Sequence, residues 1–139
     1  MDASGNLWVA NSKVATAVSI KKTDGTWQSL NFSNFLGNSP SLGKMLIDKH
    51  NQLWIIIEGK GLLVYNGNGA TPTTSNTKIL TTVSGNGALA DSSVYCLTED
   101  ADGKIWIGTK KGPTVINNPE NVFNGQNFDS QQIYVQQNG

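Results

Sequence analysis

The sequence predicts an all-β fold, and three observations support that class. Short runs of β-branched and aromatic residues alternate with turns rich in Gly, Asn and Asp, as is typical of strands joined by tight turns. No segment shows sustained helical periodicity. A tryptophan-centred motif recurs at Trp8, Trp54 and Trp106, at intervals of 46 and 52 residues. These intervals are close to the roughly 40 to 50 residues of a propeller blade, so the sequence predicts a partial β-propeller.

Each copy of the motif has the pattern of a hairpin turn followed by a returning strand. The copies span residues 2–9, 48–55 and 100–107. In each, an Asp stands six residues before the Trp, a Gly or Asn three before it, and a Leu or Ile directly before it. Because Gly and Asn tolerate positive φ, we expect a tight turn at the third position before the Trp.

The motifs and the apolar runs around them divide the chain into three predicted blades, at residues 1–42, 43–90 and 91–139. The first blade lacks an opening strand, because only two residues precede its turn. The predicted strands are residues 7–10, 17–20 and 26–30, then 45–47, 53–57, 62–65 and 77–81, then 94–97, 105–107, 114–116 and 132–135. These amount to about two and three-quarter four-stranded blades. Propellers close with about four to eight blades, so we expect a piece of a larger one.

Composition excludes several classes of function. The chain has 139 residues with 10 Lys and 10 Asp or Glu, and it contains no Arg. With no basic excess and no Arg clamp, a nucleic-acid partner is not expected. The longest apolar run, Leu53–Ile57, is far shorter than a membrane span. The first residues lack the features of a signal peptide. We interpret this absence as truncation of a longer chain.

Recurrence at equivalent positions favours a structural role for Trp8, Trp54 and Trp106. We expect them to pack blade against blade, and replacement of Trp106 by Ala to destabilise the fold by about 3 to 5 kcal/mol. Trp27 lies outside the motif and is therefore the better ligand candidate. An aromatic residue at the end of a hairpin is, however, more commonly a cross-strand anchor.

No set of residues predicts catalysis or metal binding. Asp100 and Asp102 resemble the start of an EF-hand loop, but Lys104 and Lys111 occupy positions where that loop needs acidic ligands. We expect these aspartates to cap the turn instead.

His50 and Cys96 are the only residues of their types in the chain. A lone cysteine forms neither an intrachain disulfide nor a cysteine metal cage. We expect His50 to be solvated in its turn and Cys96 to be a buried, inert thiol. The sequence therefore predicts no catalytic, cofactor-binding or metal-binding residues and no cofactor, and it leaves ligand-binding residues unassigned.

The third copy resembles the two-component-regulator propeller repeat. It carries the matching residues Gly103, Trp106, Ile107, Gly108, Thr109 and Gly112. The second copy keeps Trp54, Gly61, Leu62 and Tyr65, and the first keeps residues 5–9 and then departs from the pattern. Residues 114–123 and 127–133 resemble a segment of the PorZ-type propeller proteins of the type IX secretion system. That resemblance implies an exported protein of the periplasm or cell surface in Bacteroidetes-type bacteria.

The resemblance implies a non-catalytic module that acts in type IX secretion and in attachment of cargo at the cell surface. The alternative is an oligosaccharide-sensing periplasmic propeller of a hybrid two-component receptor. A third possibility is a polysaccharide-degrading enzyme whose active site lies on other blades. The expected partners are other blades of the parent chain, or a second copy joined through open blade edges. A protein or glycan partner is also compatible.

Overall fold

The computed structural model describes residues 1–134, and these contain eleven strands in three antiparallel sheets. The predicted all-β, partial-propeller class is confirmed. The first sheet contains β1 (Leu7–Ala10), β2 (Val18–Lys21) and β3 (Trp27–Leu30). The second contains β4 (Leu42–Ile47), β5 (Leu53–Ile57), β6 (Gly61–Tyr65) and β7 (Thr77–Leu80). The third contains β8 (Val94–Glu99), β9 (Ile105–Thr109), β10 (Gly112–Ile116) and β11 (Gln131–Gln132).

The observed strand bounds differ from the predicted ones mainly at the ends of the strands. β4 begins at Leu42, three residues before its predicted start. β11 begins at Gln131, and the last predicted residue of that strand, Val135, lies outside the described residues. Two short helices, α1 (Ser33–Leu36) and a 3₁₀ helix (Pro119–Phe123), were not predicted. Each is about one turn long, which is too short to show a helical period in sequence.

Each sheet is a meander in which strands adjacent in sequence pair with each other. The second and third sheets open with β4 and β8, which pair with β5 and β9. Within residues 1–134 no equivalent strand pairs with β1, so the first sheet has three strands, as predicted. No helix in this part of the chain is long and apolar enough to span a membrane.

The second sheet lies between the other two and contributes to two separate cores. Because side chains alternate across a strand, one set of residues of β5 and β6 packs against the first sheet and the other set against the third. The residues facing the first sheet are Leu53, Ile55, Ile57, Leu63 and Tyr65. Those facing the third sheet are Trp54, Ile56, Leu62 and Val64. Every residue of β5 and β6 is consequently buried.

Candidate functional site

The three motifs form the same hydrogen-bonded unit, which joins an aspartate to a tryptophan. Nε1 of Trp8, Trp54 and Trp106 donates to Oδ2 of the aspartate six residues earlier, at 2.7, 2.8 and 2.8 Å. In all three units Oδ1 of that aspartate accepts the backbone N–H groups two and four residues further on, at 2.9 to 3.0 Å. One carboxylate therefore closes the turn and orients the indole ring.

The spacing of the motif follows from this geometry. The residue three before the tryptophan has positive φ in every copy, with 84° at Gly5, 61° at Asn51 and 81° at Gly103. Its backbone N–H donates to the carbonyl oxygen of the aspartate at 2.9 to 3.0 Å. The predicted tight turn and the capping role of Asp100 are thus confirmed. The bond from the tryptophan to the carboxylate was not predicted, although the constant six-residue spacing carried that signal.

The hydrogen bonds of the first and third motifs favour the ionised form of their aspartates, Asp2 and Asp100. Burial alone raises the pKa of Asp2, but hydrogen bonds from Trp8, Asn6 and Ser4 favour the charged carboxylate. The net effect lowers the pKa of Asp2 below its ordinary value of 3.8. The hydrogen bond from Trp106, supported by the backbone of Lys104, lowers the pKa of Asp100 in the same direction. Both groups accept hydrogen bonds and are poorly suited to donate a proton.

Trp8 and Trp54 each face the sheet that follows them in the chain. Trp8 is 6 % exposed and packs in the core between the first and second sheets, and Trp54 is fully buried between the second and third. Trp106 is only partly buried. It pairs with Val115 on the outer face of the third sheet, on which no further sheet packs within residues 1–134. The full penalty for truncating a core tryptophan therefore applies to Trp54 and not to Trp106.

Trp27, the ligand candidate from sequence, is 60 % exposed at the start of β3. It lies opposite Lys21, which in turn pairs with Leu7, so the three residues form one row across the first sheet. The preceding turn is closed by Asp24, whose Oδ1 accepts the backbone N–H and the hydroxyl of Thr26 at 2.9 and 2.6 Å. This row agrees with the role of a cross-strand anchor that is common for an aromatic residue at the end of a hairpin. A ligand role for Trp27 stays a prediction.

The prediction that Cys96 is buried was wrong. Its thiol is exposed, because the register of β8 against β9 shifts between Val94 and Cys96. Leu97 pairs with Ile107 on the inner face, so Cys96 lies on the outer face, opposite Gly108. An irregularity of this kind breaks the simple alternation on which the prediction rested.

His50 is exposed in its turn, as predicted. The structure also places Nε2 of His50 3.5 Å from Oε2 of Glu120, which belongs to the 3₁₀ helix of the third blade. The two residues are far apart in sequence, so no local pattern could have indicated this contact.

Several surface cavities lie among the described residues, and three of them adjoin the sheets or α1. The first, about 490 Å³, lies beside α1 and is lined by Phe35, Leu36, Pro40, Ile57 and Lys60 among others. A second, about 380 Å³, lies between the second and third sheets beside Gly43, Ile56, Val94 and Tyr95. The third, about 350 Å³, lies between the first and second sheets beside Asn6, Trp8, Lys22, Gln28 and Asn68.

None of these cavities presents an evident catalytic centre. Trp27 lines none of them. Across residues 1–134 no group of three or more His, Cys, Asp or Glu side chains is arranged to hold a metal ion. The third cavity combines amide and charged side chains with an indole ring, a mixture that suits a hydroxylated ligand more than an apolar one.

The stacked sheets and their repeated turns define the chain as a partial β-propeller. Comparison with known families agrees, since the family model of the two-component regulator propeller matches residues 88–111. The resemblance predicted for the third copy is thereby confirmed. No curated protein matches the chain at a significant level.

The solved structures that are similar to the chain include two bacterial proteins. One is PorZ, an essential bacterial surface component of the type-IX secretion system of Porphyromonas gingivalis, with 23 % identity and a TM-score of 0.75. The match covers 94 % of this chain and 19 % of PorZ. The other is the extracellular domain of a putative hybrid two-component system from B. thetaiotaomicron, with 23 % identity and a TM-score of 0.53, covering 84 % of this chain and 14 % of that one. At this identity the likeness shows the fold alone.

Proposed function

We propose that the chain is a non-catalytic binding and assembly module of an exported protein, acting in type IX secretion and in cargo attachment at the cell surface. The observation that carries the proposal is the similarity to PorZ, which extends over 94 % of the chain at a TM-score of 0.75. The similarity to the hybrid two-component system covers less of the chain at a lower TM-score. The residues of the third blade after β10 support the same choice, because they resemble the corresponding PorZ-type segment.

The geometry of the repeated turns supports a structural use of their carboxylates. The motif aspartates already accept three or four hydrogen bonds each, counting Asn6 and Gln52 side chains in the first two units. Carboxylate oxygens that already accept hydrogen bonds within the turn are not directed at a ligand. The proposed role is therefore to present a rigid surface, at the periplasmic or cell-surface side, to a protein or glycan partner.

The proposal is tested by an in-frame deletion of the 139 codons in the organism of origin. Immunoblots of surface and periplasmic fractions then follow a known cargo protein of the secretion system. We expect the cargo to accumulate in the periplasm and complementation with the wild-type segment to restore its export. A complementing variant with Val83→Glu, at a loop position that is 61 % exposed, serves as the matched control and should also restore export.

Two results would contradict the proposal. Unchanged export in the deletion strain argues against a role in secretion. Unchanged export together with a lost transcriptional response to an oligosaccharide favours the sensor alternative.

A further inference from the structure

We propose that the third cavity, between the first and second sheets, binds a segment of another protein that carries a tyrosine side chain. This inference deepens the proposed function, because it names the place and the chemistry of a protein partner, and it rests on that function for the existence of such a partner. The observation behind it is that the chain itself fills the equivalent place between the second and third sheets.

The two places are equivalent by strand register. Each is built on a row that starts at a motif tryptophan, continues to the aliphatic residue opposite it and ends on the outer strand of the sheet. The rows are Trp8, Ile20 and Gln28 in the first sheet, and Trp54, Val64 and Lys78 in the second. The third cavity lies over the first of these rows.

The segment between β10 and β11, residues 117–130, covers the second row. Val122 and Phe128 are buried in one core with Trp54 and Val64, and Phe123 packs against that core. Nζ of Lys78 lies 4.9 Å from the ring centroid of Phe128 and 5.7 Å from that of Phe123. A lysine of the second sheet thus interacts with aromatic rings supplied by the next blade.

The backbone of the same segment is also bound. Nε2 of Gln52 donates to Oδ2 of Asp48 at 2.9 Å and to the carbonyl oxygen of Pro119 at 3.1 Å. Asn6 is the equivalent of Gln52 in the first motif, and its Nδ2 donates to Oδ2 of Asp2 at 3.0 Å. Since a side-chain amide has two N–H donors, Asn6 can bind a peptide carbonyl as Gln52 does.

The loop between β6 and β7, residues 66–76, leaves the first row open. It contains only Asn, Gly, Ala, Thr, Pro and Ser, so it has no aromatic or long aliphatic side chain to insert. Its backbone passes the cavity at Gly69, whose carbonyl oxygen accepts a hydrogen bond from Nε2 of Gln28. A volume of about 350 Å³ consequently remains.

The cavity lies on the side of β1 toward β2 and β3. In the second sheet, β4 pairs with the opposite edge of β5. A further strand at the equivalent edge of β1 would therefore leave the cavity open.

The lining of the cavity favours a phenol ring. Ile20 is 2 % exposed and provides an apolar surface, and the ammonium group of Lys22 supplies a cation for the face of the ring. The side-chain amides of Gln28 and Asn68 provide partners for a hydroxyl group. Tyrosine combines an apolar ring with a polar tip, so it matches this mixture better than leucine or phenylalanine.

NMR titration of the full ¹⁵N-labelled chain tests the proposal, with the capped tripeptide acetyl-Gly-Tyr-Gly-amide as the probe. We expect the side-chain amide signals of Asn6 and Gln28 and the backbone signal of Gly69 to shift. Lys22→Glu should weaken binding about fivefold or more, the effect of losing one cation–π contact, and Lys22→Arg should retain it. Lys21→Glu is the matched control, because Lys21 is exposed on the same strand but does not line the cavity, and it should bind like the wild type.

Four results would overturn the proposal. They are the absence of shifts at these residues, equal binding of the peptide with Leu in place of Tyr, equal weakening by Lys21→Glu, and shifts caused by glucose but not by the peptide. The last result would indicate a sugar as the ligand. Because export is not measured, binding can fail while a role in secretion stands, and the two failures are distinguishable.

Discussion

The carboxylate of Asp48 accepts four hydrogen bonds, two from backbone N–H groups and two from the side chains of Gln52 and Trp54. Asp2 has the same four kinds of donor, supplied by Ser4, Asn6 and Trp8. Asp100 has three, because a lysine stands where the other copies have an amide side chain. The first two units are thus more completely hydrogen-bonded than the third, and the central unit has the most buried tryptophan.

Asp48→Asn tests the bond between carboxylate and indole. Asparagine keeps an oxygen for the backbone donors, but its amide group cannot accept the proton of Trp54 Nε1. Because that donor is buried, we expect a loss of about 1 to 3 kcal/mol in the free energy of unfolding. Urea titration followed by tryptophan fluorescence measures it. The control is Asp102→Asn, at an exposed position, for which we expect a change within about 0.5 kcal/mol. Equal effects of the two substitutions would contradict the assigned role.

The lowered pKa values of Asp2, Asp24 and Asp100 predict a loss of stability in acid. The hydrogen bonds to each carboxylate, from Thr26 in the case of Asp24, hold its folded-state pKa below the ordinary 3.8. The unfolded chain therefore takes up protons first as pH falls. Stability from these groups is fully present above about pH 4 and is lost as pH falls through the folded-state values. We expect the urea concentration at the unfolding midpoint to be lower at pH 3 than at pH 4 or pH 6. This decrease should be smaller in Asp100→Ala than in the wild type.

Local residue patterns predicted part of this chemistry. The positive φ at Asn51 and the capping by Asp100 follow from the preferences of single residue types. The exposure of Cys96 and the approach of Glu120 to His50 were beyond prediction. The first depends on a register shift, and the second depends on how two sheets are placed in space.

At the level of strands, the turn between β5 and β6 contains Gly59, and β6 begins with Gly61, a glycine under a different constraint. Gly59 and Gly61 have φ of 72° and 89°. A Cβ at Gly59 would meet nothing within 4 Å, whereas one at Gly61 would collide with the backbone carbonyl oxygen of Leu80. At either position an L-residue would be strained by about 1 to 2 kcal/mol, because φ is positive. Only at Gly61 would its Cβ also clash with the backbone.

We therefore expect Gly61→Ala to destabilise the chain substantially more than Gly59→Ala. Differential scanning calorimetry of the two variants measures the difference as a gap in melting temperature. Similar melting temperatures would show that β7, which carries Leu80, moves freely away from β6, and would contradict the tight pairing of these strands.

The motif tryptophans differ in the burial of the strands that carry them. We expect Trp54→Ala to lower the free energy of unfolding by about 3 to 5 kcal/mol, since Trp54 is 0 % exposed in a core shared by two sheets. Trp106→Ala should cost less, because Trp106 is partly exposed. Chemical denaturation of both variants gives the comparison. A larger loss for Trp106→Ala would contradict the placement of its strand face.

Strand positions were predicted well because each strand has its own local signature. β1 and β5 have the predicted bounds, and their apolar, β-branched residues explain why. The start of β4 and the end of β8 were less accurate. β4 has a register shift between Leu42 and Met45, the stretch that was missed, and such irregularities depend on the partner strand more than on the residues themselves.

Across the whole molecule, coverage by neighbouring sheets differs from blade to blade. The second sheet is covered on both faces, whereas the first and third are each covered on one face by described residues. Stability in stacked repeats comes largely from contacts between nearest neighbours. The second sheet should therefore be the slowest to open.

Native-state hydrogen exchange tests this gradient. We expect the backbone amides of β5 and β6 to exchange most slowly and those of β3 to exchange fastest among the strands. Uniform protection across the three sheets would show that the chain opens only by global unfolding and would contradict the gradient.

The amino-acid sequence by itself determined the all-β class, the three repeats, the turn conformations and most strand positions, because these depend on residues close together along the chain. The tertiary structure decided which face of each sheet is covered. Trp54 and Trp106 occupy identical places in their motifs, yet one is fully buried and the other is partly exposed. The physical reason is that burial of the tryptophan depends on the neighbouring sheet, and the residues of the motif do not determine whether a sheet packs against it.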